Sequence, residues 1–103
     1  MNSMIYQVKI IGGDVVWHVN GQRHRLDGPA VEFTNGNRYW SADGKLHRLD
    51  GPAIEYANGD REWYFKGNLH RLDGPAVEIA NGDRHWCVNG KYLTEDEFND
   101  LSN

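Results

Sequence analysis

A 23-residue period governs this chain. His24 to Leu46 reads HRLDGPAVEFTNGNRYWSADGKL, His47 to Leu69 reads HRLDGPAIEYANGDREWYFKGNL, and His70 to Tyr92 reads HRLDGPAVEIANGDRHWCVNGKY, with no insertion between copies. Trp17, Trp40, Trp63 and Trp86 keep the same spacing, as do Gly21, Gly44, Gly67 and Gly90. Val8, Ile10 and Gly13 fall one period before Val31, Phe33 and Gly36, so residues 4–23 form a partial unit lacking the HRLDGPA portion. The domain organisation is therefore a single repeat domain over 1–103: a partial unit at 4–23 and full units at 24–46, 47–69 and 70–92. A unit this short cannot bury an apolar face alone, so copies must stack on their neighbours into a continuous array.

Turn signals divide each unit into short strands. Asn35-Gly36, Asn58-Gly59 and Asn81-Gly82 are signals for a two-residue type I′ hairpin, which needs positive φ at both positions. Gly12-Gly13 repeats the signal near the N-terminus, and a second turn follows at Asp43-Gly44, Lys66-Gly67 and Asn89-Gly90. Asp27-Gly28-Pro29 and its copies mark a third turn, whose proline starts a strand because it cannot donate to a ladder. The expected fold is all-β: a single elongated, twisted antiparallel sheet of about eight short strands, closed by a short C-terminal helix. That helix is expected at about 95–101, because Thr94 and Glu97 form a capping box and Leu93 and Phe98 are placed as a staple.

A two-residue loop at Asn35-Gly36 places Val31 opposite Trp40, Glu32 opposite Tyr39 and Phe33 opposite Arg38. On this register one face repeats almost unchanged: Val31, Phe33, Arg38 and Trp40, then Ile54, Tyr56, Arg61 and Trp63, then Val77, Ile79, Arg84 and Trp86. It reads as the structural layer, with Trp17, Trp40, Trp63 and Trp86 at its centre and Leu26, Leu49 and Leu72 folded over it. Asp27, Asp50 and Asp73 read as structural turn residues. The opposite face varies between units and carries Glu32, Tyr39, Glu55, Glu62, Tyr64, Glu78 and His85. These seven are the candidate protein-binding residues, with Tyr39 and Tyr64 as aromatic anchors. Glu55 facing Glu62 is unfavourable on this register, so the sheet is either well solvated there or expects a cationic partner.

The pattern W-x-x-x-G-x-x-H-R-x-D-G-P-A-x-E-x-x-N-G, carried by Trp40, Gly44, His47, Arg48, Asp50, Gly51, Pro52, Ala53, Glu55, Asn58 and Gly59 and by their copies, resembles the repeat arrays of small bacteriophage and bacterial proteins. Those arrays are similar to a variant of the MORN repeat. The resemblance implies an elongated hairpin sheet whose function is contact with another protein, or with lipid in some MORN proteins. A phage source would suit an antagonist of a host defence enzyme. The sequence departs from the usual MORN motif by carrying HR-x-DGPA where glycines dominate, which argues against lipid.

Chemistry-bearing clusters point away from catalysis and from cofactors. Cys87, His85 and Glu78 have the composition of a nucleophilic site, but a flat sheet offers neither pocket nor oxyanion donor. His24, His47 and His70 recur two strands apart, roughly 10 Å, too far for one metal ion with bonds near 2 Å. No enzyme activity, metal or cofactor is therefore expected. A net charge of −4 opposes direct binding to nucleic acid or anionic membrane. With a single cysteine, no apolar run of membrane length and no leader pattern, the expected location is the cytoplasm, that of the host cell for a phage protein. The functional expectation is a non-enzymatic protein-binding module. Its alternatives are a self-associating assembly element, homodimeric through the N-terminal strand, or a sink for a small ligand held between subunits.

Overall fold

Five left-handed turns and three looser ones shape the sheet. The computed structural model describes residues 5–101; Met4, the first residue assigned to the partial unit, lies outside the described residues. In the partial unit, β1 (Gln7–Ile11) and β2 (Asp14–Val19) join through Gly12 and Gly13, both at positive φ, and β3 (Gln22–Arg23) follows. The next unit supplies β4 (Val31–Glu32), β5 (Arg38–Tyr39), β6 (Ser41–Ala42) and β7 (Lys45–Leu46). Its successor supplies β8 (Ile54–Glu55), β9 (Arg61–Glu62), β10 (Tyr64–Phe65) and β11 (Asn68–Leu69). The last contains β12 (Val77–Glu78), β13 (Arg84–Val88) and β14 (Lys91–Leu93), and leads into α1 (Glu95–Asp100).

The fold is all-β with a short C-terminal helix, and its strands pair antiparallel. One ten-stranded sheet runs β1-β2-β4-β5-β8-β9-β12-β13-β14, with β3 beside β2, while β6-β7 and β10-β11 form separate two-stranded ribbons. The expected eight strands in one sheet are thus fourteen, in three sheets, among the described residues. The division falls at the tryptophans. Trp40 donates its N–H to the Ala53 carbonyl at 2.7 Å and accepts from the His47 N–H at 3.0 Å, so the chain changes partner there. Trp63 repeats this with Ala76 and His70. The array measures 44 × 36 × 17 Å.

The first turn of each full unit overturns the expected register. Asn35 has no positive φ; only Gly36 does, at 96°. The Phe33 carbonyl accepts from Gly36 N–H at 3.0 Å and the Phe33 N–H donates to the Asn37 carbonyl at 2.9 Å. This is a three-residue loop, a type I turn followed by a left-handed glycine, rather than a two-residue type I′ turn. The type I′ geometry belongs to the second turns: Asp43-Gly44, Lys66-Gly67 and Asn89-Gly90, as well as Asn20-Gly21, have both residues left-handed.

One extra loop residue moves every side chain to the other face. Val31 pairs with Tyr39 and Glu32 with Arg38, in place of Trp40 and Tyr39. The same correction applies to Ile54 with Glu62, Glu55 with Arg61, Val77 with His85 and Glu78 with Arg84. One row across the sheet therefore reads Val16, Val31, Tyr39, Ile54, Glu62, Val77, His85. The row on the opposite face reads Glu32, Arg38, Glu55, Arg61, Glu78, Arg84, opposite charges alternating at every step. Cross-strand pairs of this kind stabilise a sheet, and the like-charge pair of Glu55 with Glu62 does not exist.

The arginine of each HR-x-DGP segment locks its loop. The Arg25, Arg48 and Arg71 guanidinium carbons lie 4.0, 3.8 and 3.9 Å from the ring centroids of Trp17, Trp40 and Trp63. Each Nε donates to the aspartate two residues on (Asp27, Asp50 or Asp73), and each Nη1 to the following proline carbonyl. A Cβ at Gly51 would meet the Arg48 guanidinium carbon at 2.9 Å, so a side chain there would push the guanidinium aside. With the tryptophan covered this way there is no room for the leucines. Leu26, Leu49 and Leu72, expected to fold over the tryptophan face, are instead 67, 81 and 68% exposed.

One hydrogen bond closes each full unit on itself and a second staples each unit to the next. His24, His47 and His70 accept through Nδ1 from the N–H of Asp43, Lys66 and Asn89. Asp14, Asn37 and Asp60 accept from the N–H of Thr34, Ala57 and Ala80. Ala30, Ala53 and Ala76 are fully buried beside Val31, Ile54 and Val77, and these six residues form the repeating core. At the far end Thr94 and Glu97 close both bonds of the capping box on α1. Glu97 is held below the usual carboxylate range by the Thr94 backbone and hydroxyl donors.

Candidate functional site

The seven candidate residues do not share a face. Glu32, Glu55 and Glu78 belong to the alternating row opposite Arg38, Arg61 and Arg84. Glu55 and Glu78 also meet the loop guanidiniums, Arg48 at 3.4 Å and Arg71 at 3.5 Å. Their charges are used within the fold. Tyr39, Glu62 and His85 stay together in the other row, one from each unit, and Tyr64 joins them through its hydroxyl.

This second row places variable residues between constant ones. Val31, Ile54 and Val77 are buried, and Tyr39, Glu62 and His85 alternate with them as more accessible positions. Residues assigned to the structural layer by the two-residue register belong here too. The Phe33 ring stands edge-on to Tyr39 at 4.9 Å between centroids, and the Tyr92 ring packs edge-on to His85 at 6.2 Å. Tyr56 lies near enough to Glu62 to feel its charge. The surface is thus built from Phe33, Tyr39, Tyr56, Tyr64, Tyr92 and His85, with Glu62 as its carboxylate.

Glu62 sets the electrostatics of the patch. Tyr64 donates its hydroxyl to Glu62 Oε1 at 2.9 Å. Burial pushes the Tyr56 hydroxyl up to about 12, with the charge of Glu62 adding to it and Tyr39 contributing next. Tyr64 is raised further, first by burial and then by its bond to Glu62. Both hydroxyls therefore stay protonated throughout the physiological range, and that of Tyr64 remains a donor.

The remaining clusters have structural occupations. Cys87 is fully buried, which pushes its thiol up, and Glu78 lies on the opposite face from it and His85, so the three do not form a nucleophilic site. The three repeat histidines use Nδ1 as an acceptor for the second turn of their own unit. Arg61, expected beside Tyr56, faces Glu55 and Glu78 instead. A groove of about 570 Å³ lies between successive loops, walled by Arg48 to Pro52 and His70 to Asp73 with Trp63 and Phe65 within it. Its two arginines are already stacked on tryptophans and bonded to their own loops. Among the described residues, no helix is long and apolar enough to cross a membrane.

Tyr56 and Phe33 share this face because of the loop length, which has a signal in the sequence. The residue after each Asn-Gly pair is Asn37, Asp60 or Asp83, itself a turn former. That triplet was the available signal for a three-residue loop. No protein-family model, curated protein or solved structure matches this chain.

Proposed function

We propose that the chain is a non-enzymatic protein-binding module that works through the tyrosine face. The observation carrying this reading is the placement of Tyr39, Glu62 and His85, the variable members of the row, between buried Val31, Ile54 and Val77. A rigid, repetitive core presents one different side chain per unit, with tyrosines on both sides. Tyrosine offers large contact area, a polar tip and few rotatable bonds, which suits a recognition surface. The opposite face, by contrast, neutralises itself through its alternating charges. The resemblance to MORN-type arrays points in the same direction, and a host defence enzyme is the partner that resemblance would favour. The test is capture of a partner by the wild-type chain beside two double variants. Tyr39→Ala with Tyr64→Ala should lose the partner, and Arg38→Ala with Arg61→Ala should retain it. Retention by the tyrosine variant would refute the assignment.

A second reading, self-association, draws on β1. All five of its residues are exposed, including Val8, Ile10 and Ile11, and only one of its edges is paired. Unpaired apolar edges invite a further strand, and a second copy of β1 would supply it. Ile10→Lys should then convert a dimer to a monomer in light scattering, and a wild-type monomer at high concentration would contradict this reading.

A further inference from the structure

The chemistry of the partner can be read from Glu62. Glu55 and Glu78 each have an arginine of this chain beside them. Glu62 has none: among the described residues no lysine, arginine or histidine forms an ion pair with it. Its direct cross-strand neighbours are Ile54 and Val77, both buried. A carboxylate in an apolar row carries a desolvation cost that the Tyr64 hydroxyl reduces without neutralising the charge. Nor does the fold demand a carboxylate there, because Tyr39 and His85 fill the same position in the sister units.

The surroundings extend the negative potential. Aromatic rings carry a negative face that attracts ammonium and guanidinium groups. Phe33 and Tyr39 are in ring contact, Tyr64 donates to Glu62, and Tyr56 lies near enough to feel the charge of Glu62. Arg38, Arg61 and Arg84 lie in the row on the opposite face. The cations on this face, Lys9 opposite Val16 and Arg23 opposite His18, stand at the N-terminal end of the sheet, away from Glu62.

We propose that Glu62, with Tyr39, Tyr56 and Tyr64 around it, receives a lysine or arginine side chain presented by the partner protein. The cation sits against the ring faces and pairs with the carboxylate, while the Tyr64 hydroxyl holds the carboxylate in place. The proposal rests on the protein-binding reading of this face and adds the charge of the group it recognises.

The experiment is an NMR titration of the full chain with N-acetyl-arginine amide and N-acetyl-lysine amide, and with N-acetyl-citrulline amide as the neutral isostere of arginine. Saturable shifts centred on Tyr39, Tyr56, Glu62 and Tyr64 are expected with either or both cations and not with citrulline. Glu62→Gln, which preserves an acceptor for Tyr64, should weaken the response about tenfold, the loss of one charge-assisted contact. Equal binding of citrulline, shifts centred on Glu32, Glu55 and Glu78, or no saturable response would overturn the proposal. A captured partner separates the two levels of the argument. Loss of binding in Tyr39→Ala but not in Glu62→Gln removes the cation proposal and leaves the binding face standing. Unchanged binding in both removes the binding face itself.

Discussion

Replacing Arg48 by alanine tests the device that holds each loop on the sheet. The guanidinium carbon lies 3.8 Å from the Trp40 centroid, and Nη1 donates to the Pro52 carbonyl at 3.0 Å. Nε donates to Asp50 at 3.0 Å, and Nη1 lies 3.4 Å from Glu55. The arginine side chain is only 21% exposed, whereas Asp50 is 86% exposed. Stacking on the ring in this partly desolvated setting contributes about 1 kcal/mol, and the bond to the proline carbonyl another ~1 kcal/mol. The two ion pairs, one screened by solvent at Asp50, together add roughly 0.5 kcal/mol. The variant should therefore lose about 2–3 kcal/mol, equivalent to a fall in Tm of roughly 10–20 °C for a chain of this size. Urea unfolding followed by tryptophan fluorescence and far-ultraviolet circular dichroism measures it. Arg48→Lys, which retains charge without a planar fork, should recover less than half of the loss. A loss below about 0.5 kcal/mol, within the range of ordinary surface substitutions, would refute the stacked-arginine account.

Three further outcomes follow from particular residues. Lys66 occupies the left-handed position held by Asn20, Asp43 and Asn89 in the sister turns, so Lys66→Asn should stabilise by about 0.5–1 kcal/mol through relief of that strain; a drop in Tm would contradict this. Tyr56 has its hydroxyl raised to about 12, above an unfolded value near 10, so it contributes stability that is fully present below pH ~10 and is lost as pH rises towards ~12. Phenolate absorbance should show a late-titrating class that moves back towards ordinary tyrosine in Glu62→Gln, and no movement would disconnect Glu62 from the tyrosines. The buried Cys87 thiol, held up by desolvation, should react with iodoacetamide at neutral pH far more slowly in the folded chain than in urea; equal rates would mean that it is accessible.

How much of this was legible in the sequence depends on the range of the interaction involved. The period, the strand-rich units and the capping box at Thr94 and Glu97 are local patterns, and each corresponds to an element in the structure. The register was not local. Asn35-Gly36 carries the signal for a two-residue turn, but the polar residue after it and the bond from Asn37 N–H to Asn35 Oδ1 at 3.0 Å select a loop one residue longer. That single residue exchanged Tyr56 and Phe33 for Glu32, Glu55 and Glu78 on the candidate surface. The two-residue register contained its own warning, since it set Glu55 against Glu62, whereas the observed one sets Glu55 against Arg61. The exposed leucines were misread for a related reason. Whether Leu49 or Arg48 covers Trp40 depends on the geometry of the Asp50-Gly51-Pro52 turn, and hydrophobicity alone favours the wrong residue.

Adjacent residues of one strand face opposite ways, which makes the binding face directly measurable. A photoreactive phenylalanine analogue is placed singly at Arg38, Tyr39, Arg61 and Glu62 and irradiated with the captured partner. Cross-links at positions 39 and 62, with none at 38 and 61, are the predicted result. Cross-links at 38 and 61 instead would place the partner on the alternating charge row and contradict the account.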